Sequence, residues 1–205
     1  MRSGVILAGG RSTRFGEGDK AVADLAGTPM IRRVADRLRN VVDELVVNCR
    51  PEQTPALRNA MAGYPLDVGY AEDETPDRGP VAGIRNGLAV AGGEYSLVVA
   101  CDMPFVDPAL VDHLFDRAAS HDAAVPRLDD GWFQTTQAVY RTVAMHRACD
   151  VALDRGDRRI VAPLEDLDYV VVEGDEIETV ASTESFENVN SREDLQTAID
   201  RLDSV

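Results

Sequence analysis

The feature that most constrains this chain is an alternation. Short apolar runs rich in β-branched residues recur along it, and most are followed by a stretch with helical spacing. The first run, residues 3–8 (SGVILA), ends in Gly9-Gly10. A run of that length bounded by glycines reads as a strand buried on both faces, since a half-exposed strand would alternate apolar with polar residues. ELVVN (44–48), LDVGY (66–70), YSLVVAC (95–101), DAAVP (122–126), QTTQAVY (134–140) and YVVVE (169–173) repeat the pattern, with a DDG turn between the fourth and fifth of these six. Between them the spacing predicts helices at 28–39, 53–62, 81–90, 108–119, 142–154, 157–166 and 191–202. The first has Thr28 as N-cap, Pro29 at the opening position, and Ile31, Val34, Ala35 and Leu38 on one face. Strands joined through single helices pair in parallel by crossover connections. The expected architecture is therefore an α/β fold: a single-domain, Rossmann-like three-layer sandwich over residues 1–205, with a mostly parallel central sheet.

Composition narrows the function. With 21 basic and 36 acidic side chains the formal charge is −15, which repels phosphate backbones, and aromatic residues make up only 5% of the chain. No nucleic-acid partner is expected. No apolar run approaches the roughly 20 residues of a membrane span, and the N-terminus has no signal-peptide pattern, so no membrane association and a cytoplasmic location are expected. Cys49, Cys101 and Cys149 are odd in number and widely spaced, which argues against a disulfide framework or a zinc site. His113, His121 and His146 have no metal-ligand spacing. All basic residues but one are arginine. The acidic, lysine-poor surface points to adaptation to high salt, and it makes the single lysine, Lys20, conspicuous. Its compact ammonium does what a planar guanidinium does not.

Ligands of open α/β sheets bind beyond the carboxyl ends of the strands, which concentrates attention on residues 9–20, 48–50, 71–80 and 101–105. In LAGGRSTRFGEGDKA (7–21), glycines let the backbone approach a ligand, and Arg11, Arg14 and Lys20 gather positive charge in an otherwise acidic chain. That combination suits a polyphosphate, although the spacing is neither a Walker A loop nor G-x-G-x-x-G. In CDMPF (101–105), Asp102 stands at the tip of the strongest strand and can hold Mg²⁺, which takes one or two carboxylates plus phosphate oxygens. In EDETPDRGPVAG (72–83), the Glu72–Asp73 pair either accepts hydrogen bonds from a nucleobase or is surface charge. Asn188 and Asn190, before a helix opened by Ser191, either serve a metal or second substrate or simply form the turn. No G-x-S-x-G elbow or cysteine nucleophile is evident.

Taken together, VILAGGRSTRFG, DKA (19–21), LAGTPMI (25–31), VVN (46–48), GPVAG (79–83), CDMPF, GDRR (156–159) and NVNSREDL resemble the molybdenum cofactor guanylyltransferases, a branch of the nucleotidyltransferases. The resemblance implies transfer of GMP from GTP to molybdopterin-bound molybdenum with release of pyrophosphate, and Mg²⁺ as cofactor. It implies nucleotide binding by Leu7, Ala8, Gly9, Gly10, Lys20, Asn48, Asp73 and Asp102, with Asn48 and Asp73 on the guanosine. Lys20, Arg14 and Asp102 would be catalytic, Asp102 would hold the metal, and Asn188 and Asn190 would serve the second substrate. Implied partners are GTP, the molybdopterin cofactor, other proteins of molybdenum cofactor biosynthesis and recipient molybdoenzymes. The chain departs from the family pattern at Ser191-Arg192, where Thr-Pro is usual, and at Gln134-Thr135-Thr136, where Gln-Pro-Leu is usual. Two alternatives share the same motifs: a related nucleotidyltransferase acting on another cofactor precursor or a sugar phosphate with CTP, UTP or GTP, and a non-catalytic GTP-binding adaptor that delivers cofactor.

Overall fold

The structure is a computed structural model, and it describes residues 1–10, 15, 18–73, 75 and 78–203. Among the described residues nine strands form in chain order: β1 (Arg2–Leu7), β2 (Asp24–Leu25), β3 (Thr28–Pro29), β4 (Glu44–Cys49), β5 (Val68–Glu72), β6 (Tyr95–Ala100), β7 (Ala123–Arg127), β8 (Gln137–Arg141) and β9 (Tyr169–Glu173). Seven α-helices accompany them: α1 (Met30–Leu38), α2 (Thr54–Ala60), α3 (Pro80–Val90), α4 (Pro108–Ala118), α5 (Thr142–Asp154), α6 (Gly174–Glu178) and α7 (Arg192–Asp203). Seven strands make one sheet in the order β5-β4-β1-β6-β8-β7-β9. Only β8 runs against its neighbours, β6 and β7; the other pairings are parallel.

Side chains alternate across each central strand and so divide the core into two layers. Ile6, Val47, Leu97 and Val99 face a cluster containing Ile31, Leu38, Leu57, Leu110 and Leu114 from α1, α2 and α4. Val5, Val46 and Val98 face the opposite cluster, with Ile84 and Leu88 of α3 and Met145 and Cys149 of α5. This is the expected three-layer sandwich, and the fully apolar runs are explained by burial on both faces. On one face α3 lies unusually close to β1: a Cβ on Gly87 would come within 2.4 Å of Val5 Cγ1.

Several boundaries differ from the sequence reading. Thr28 and Pro29 do not open a helix. They pair with Asp24–Leu25 around a turn in which Ala26 and Gly27 take φ of 51° and 79°, and α1 begins only at Met30. The expected strand at 66–70 lies two residues later, where Cys49 pairs with Glu72, whose carboxylate accepts from the Thr54 hydroxyl at 2.7 Å. The stretch 157–166 yields only a 3₁₀ turn, Ala162–Asp166. Gly156 (φ 73°) ends α5, and the Asp157 side chain accepts from the Arg159 backbone N–H at 2.9 Å, a local bond that competes with helix. The short helix α6 had no signal in the periodicity. Among the described residues no helix is long and apolar enough to cross a membrane.

Candidate active site

The sheet order places β1 between β4 and β6, so the chain leaves the centre of the sheet in opposite directions on the two sides of β1. That is where open α/β sheets hold ligands. Leu7 is in register with Asn48 on one side and Ala100 on the other. The ladder continues past the strand ends: Ala8 N–H donates to Asn48 O at 2.8 Å, Cys101 N–H to Leu7 O at 3.1 Å, and Asp73 N–H to Cys49 O at 2.8 Å. These bonds fix the loops that carry the unusual residues. A cleft of about 360 Å³ opens there, lined by Leu7–Gly10, Lys20, Asn48, Asp73, Gly83 and Ala100–Asp102 among others. It is within the size range of small-molecule sites.

Lys20 reaches this cleft because its turn is held from two sides. Asp19 caps the 3₁₀ turn Lys20–Val22, accepting from Ala21 N–H at 3.1 Å, and its other oxygen accepts from Gln53 Nε2 at 2.7 Å. The same Gln53 nitrogen donates to Ala8 O at 2.9 Å, which ties the lysine turn to the end of β1. The Lys20 ammonium then donates to Asp102 Oδ2 at 2.6 Å and to Asn190 Oδ1 at 3.2 Å. Asn190 arrives from the last quarter of the chain. Val189 N–H bonds Asp102 O at 2.8 Å, and Asp194 at the head of α7 accepts from both Asn190 and Ser191 N–H. Those bonds, with the Asn190 N–H contributing most, hold the Asp194 carboxyl below its usual pKa.

The other end of the cleft is a carboxylate clamp. Asp73 Oδ1 accepts from Asn48 Nδ2 at 2.7 Å and from Asn86 Nδ2 at 2.9 Å, and Asn48 also donates to Ala71 O at 3.1 Å. Glycines make room for it. A Cβ on Gly83 would lie 2.5 Å from Asn48 Oδ1, and one on Gly9 2.8 Å from Asp73 Oδ2, whereas a Cβ on Gly10 would meet nothing within 4 Å. Close approach therefore has two meanings in the Gly9-Gly10 pair: Gly9 accommodates the clamp, and a Cβ on Gly10 meets no side chain or backbone among the described residues.

The structure thus brings Leu7, Ala8, Gly9, Gly10, Lys20, Asn48, Asp73, Asp102 and Asn190 to one cleft edge. Asn48 acts there largely through Asp73, since both its amide hydrogens are taken. Asn188 stands apart: its amide donates to Phe186 O at 3.2 Å, and it lines a separate groove with Phe105 and Arg201. Arg11 and Arg14 lie outside the described residues. The three histidines pair with Glu176, Asp168 and Asp150, away from the cleft. Gln53 and Asn86 escaped the sequence reading because nothing in a helix-borne amide marks it until its partners are known. Burial pushes the Cys101 thiol, beside Asp102, up to about 12, so it is no nucleophile near neutral pH.

A glycine-walled cleft at the carboxyl edge of a sheet covered on both faces, with a lone lysine and a strand-tip aspartate, suits the phosphates of a nucleotide, the substrate of a nucleotidyltransferase. The model of the MobA-like NTP transferase domain matches residues 4–168. A probable molybdenum cofactor guanylyltransferase from Natronomonas pharaonis is 53% identical over 98% of each chain, and a molybdenum cofactor guanylyltransferase from Desulfosudis oleivorans is 33% identical over 96% of this chain and 93% of its own. The crystal structure of a molybdopterin-guanine dinucleotide biosynthesis protein A from Archaeoglobus fulgidus superposes with a TM-score of 0.80 at 27% identity, covering 99% of this chain and all of that one. The chain belongs to the MobA-like NTP transferase family.

Proposed function

We propose that this protein transfers GMP from GTP to the molybdenum–molybdopterin cofactor, forming the molybdopterin guanine dinucleotide cofactor and releasing pyrophosphate. The observation that carries the reading is the meeting of Lys20 and Asp102 at one end of a cleft whose other end presents a clamped carboxylate. An oxygen of the molybdopterin phosphate attacks the α-phosphorus of GTP; the new P–O bond forms as the bond to the β-phosphate bridging oxygen breaks. Asp73 Oδ2, which accepts no hydrogen bond among the described residues, suits the N–H edge of guanine. Gly10, open on its α-carbon, lets the triphosphate approach the backbone. The Lys20 ammonium, with Arg14 as a second cation, stabilises the departing pyrophosphate.

Asp102 Oδ1 is buried and has no hydrogen-bond partner among the described residues, while Oδ2 is held by Lys20. A buried carboxylate oxygen without a donor fits a hard cation, and Asp102 would hold Mg²⁺. Bound there, Mg²⁺ would neutralise and orient the phosphates. Asn190, bonded to Lys20 at the phosphate end, would serve the second substrate; Asn188 lines a separate groove. A protein with this activity would work alongside other molybdenum cofactor biosynthesis proteins and recipient molybdoenzymes, in the cytoplasm.

The test is pyrophosphate release from GTP, CTP and UTP in the presence of molybdopterin-bound molybdenum. GTP is expected to be the substrate. Release from CTP or UTP instead refutes the guanylyl assignment, and guanine nucleotide binding with no release in any mixture identifies a delivery adaptor.

A further inference from the structure

We infer that Asn86 is a specificity-determining positioning residue: it locks the Asp73 carboxylate in the one orientation that accepts guanine and rejects adenine. The inference rests on the reading of this cleft as a guanine nucleotide site and adds a residue to it. Asn86 lies in the middle of α3, and its side chain does not reach the lining of the cleft. It acts through Asp73.

The bonds form a chain with fixed direction. Arg85 Nε donates to Asp150 Oδ1 at 2.7 Å, and Arg85 Nη1 donates to Asn86 Oδ1 at 3.3 Å. Because a guanidinium only donates, Asn86 must turn its oxygen to Arg85 and its NH₂ to Asp73 Oδ1, 2.9 Å away. Asn48 Nδ2 donates to the same oxygen from the other side at 2.7 Å. Two amide donors occupy Oδ1, so the carboxylate cannot rotate without breaking both bonds. Oδ2 is left as the acceptor, held over Gly9, where only a residue without a Cβ fits.

An acceptor fixed in this way discriminates by sign. Guanine offers N–H donors at N1 and at its 2-amino group, whereas adenine sets a lone pair at N1, and an acceptor that the bound base shields from water penalises the base that leaves it unpaired. With Asn86 gone, Asn48 is left as the donor to Asp73 Oδ1 among the described residues. The carboxylate then rotates, guanine loses a preorganised partner, and adenine escapes the repulsion. Loss of the preference is therefore expected from both ends, while a purely structural defect would weaken both nucleotides alike.

The experiment measures GTP and ATP affinity by calorimetry with Mg²⁺ present, for the wild-type protein and Asn86→Ala, with unliganded melting temperatures as the folding control. The expected result is about tenfold weaker GTP binding, which corresponds to about 1.4 kcal/mol. ATP binding should be unchanged or stronger, so the GTP-over-ATP ratio contracts at least that much. Equal weakening of both nucleotides, or an unchanged ratio, overturns the inference. If Asn86→Ala does not fold, Arg85→Met, which frees the amide to flip, decides the same question by a smaller contraction of the ratio or none. A wild-type protein with no preference for GTP overturns the guanine reading itself, a result distinguishable from failure of the variants alone.

Discussion

Lys20→Ala is the perturbation whose consequences can be worked furthest. The ammonium lies 2.6 Å from Asp102 Oδ2, with the two side chains only 15% and 12% exposed. Removing one partner of a buried pair leaves an uncompensated charge and costs about 3–5 kcal/mol; the residual exposure places this case near 3. The loss is greater in kind than for a surface bridge, because Asp102 Oδ1 already lacks a partner among the described residues. For a chain of this size each kcal/mol lowers Tm by about 2–4 °C, so a fall of roughly 6–12 °C is expected. A domain stable by about 5–15 kcal/mol stays folded after such a loss. Turnover should fall by about 10²–10³, the usual effect of deleting one electrostatic group aimed at developing charge. The double variant Lys20→Ala/Asp102→Asn separates the two effects: neutralising the stranded carboxylate should restore much of the Tm but none of the turnover. Melting by calorimetry and pyrophosphate release from GTP read the two quantities. A single variant that melts with the wild type and turns over normally would refute both the energetics and the assigned role.

Other consequences follow from the same geometry. Gly83→Ala drives a Cβ to 2.5 Å from Asn48 Oδ1 and should cost about 1–3 kcal/mol as overpacking, together with most GTP affinity; Gly10→Ala, with open space around it, should leave the Tm unchanged. The depressed Asp194 carboxyl contributes stability that is present above its unfolded value of about 3.9 and is lost as pH falls through the lower folded value. Thermal melts from pH 5 to pH 2 should therefore show an acid loss that Asp194→Asn reduces, and an identical acid slope in the variant would contradict the cap. Burial raises all three thiols, Cys101 and Cys149 to about 12, so a thiol reagent at pH 8 should label none of them in the folded protein and all three after denaturation.

The parts of this site that were legible in advance are those whose signal is local. Gly9, Gly10, Lys20, Asp73 and Asp102 stand in short strings at the ends of apolar runs, and the rule that open sheets bind ligands at their carboxyl edge assigns them a shared location. Asn188 lies apart for the complementary reason: its neighbour Asn190 has the same local context, and Asn190 is the one bonded to Lys20. Gln53, in the 3₁₀ turn before α2, and Asn86, on α3, carry amides that are unremarkable there, and each reaches the site by meeting a partner from another element. Thr28-Pro29 misled because its helix-opening signal is real, but the Ala26-Gly27 turn before it offers strand pairing that delays the helix by a residue.

What the sequence determined by itself is the set of layers. Apolar runs buried on both faces and helices with one apolar stripe are properties of short windows, and they suffice for a parallel sheet covered on two sides. What only the tertiary structure decided is which distant groups meet: Lys20 with Asp102 across 82 positions and with Asn190 across 170, and Asp73 between two asparagines. Strand order, with β1 between β4 and β6, sets those meetings, and it depends on contacts far apart in the chain, to which hydrophobic periodicity is blind.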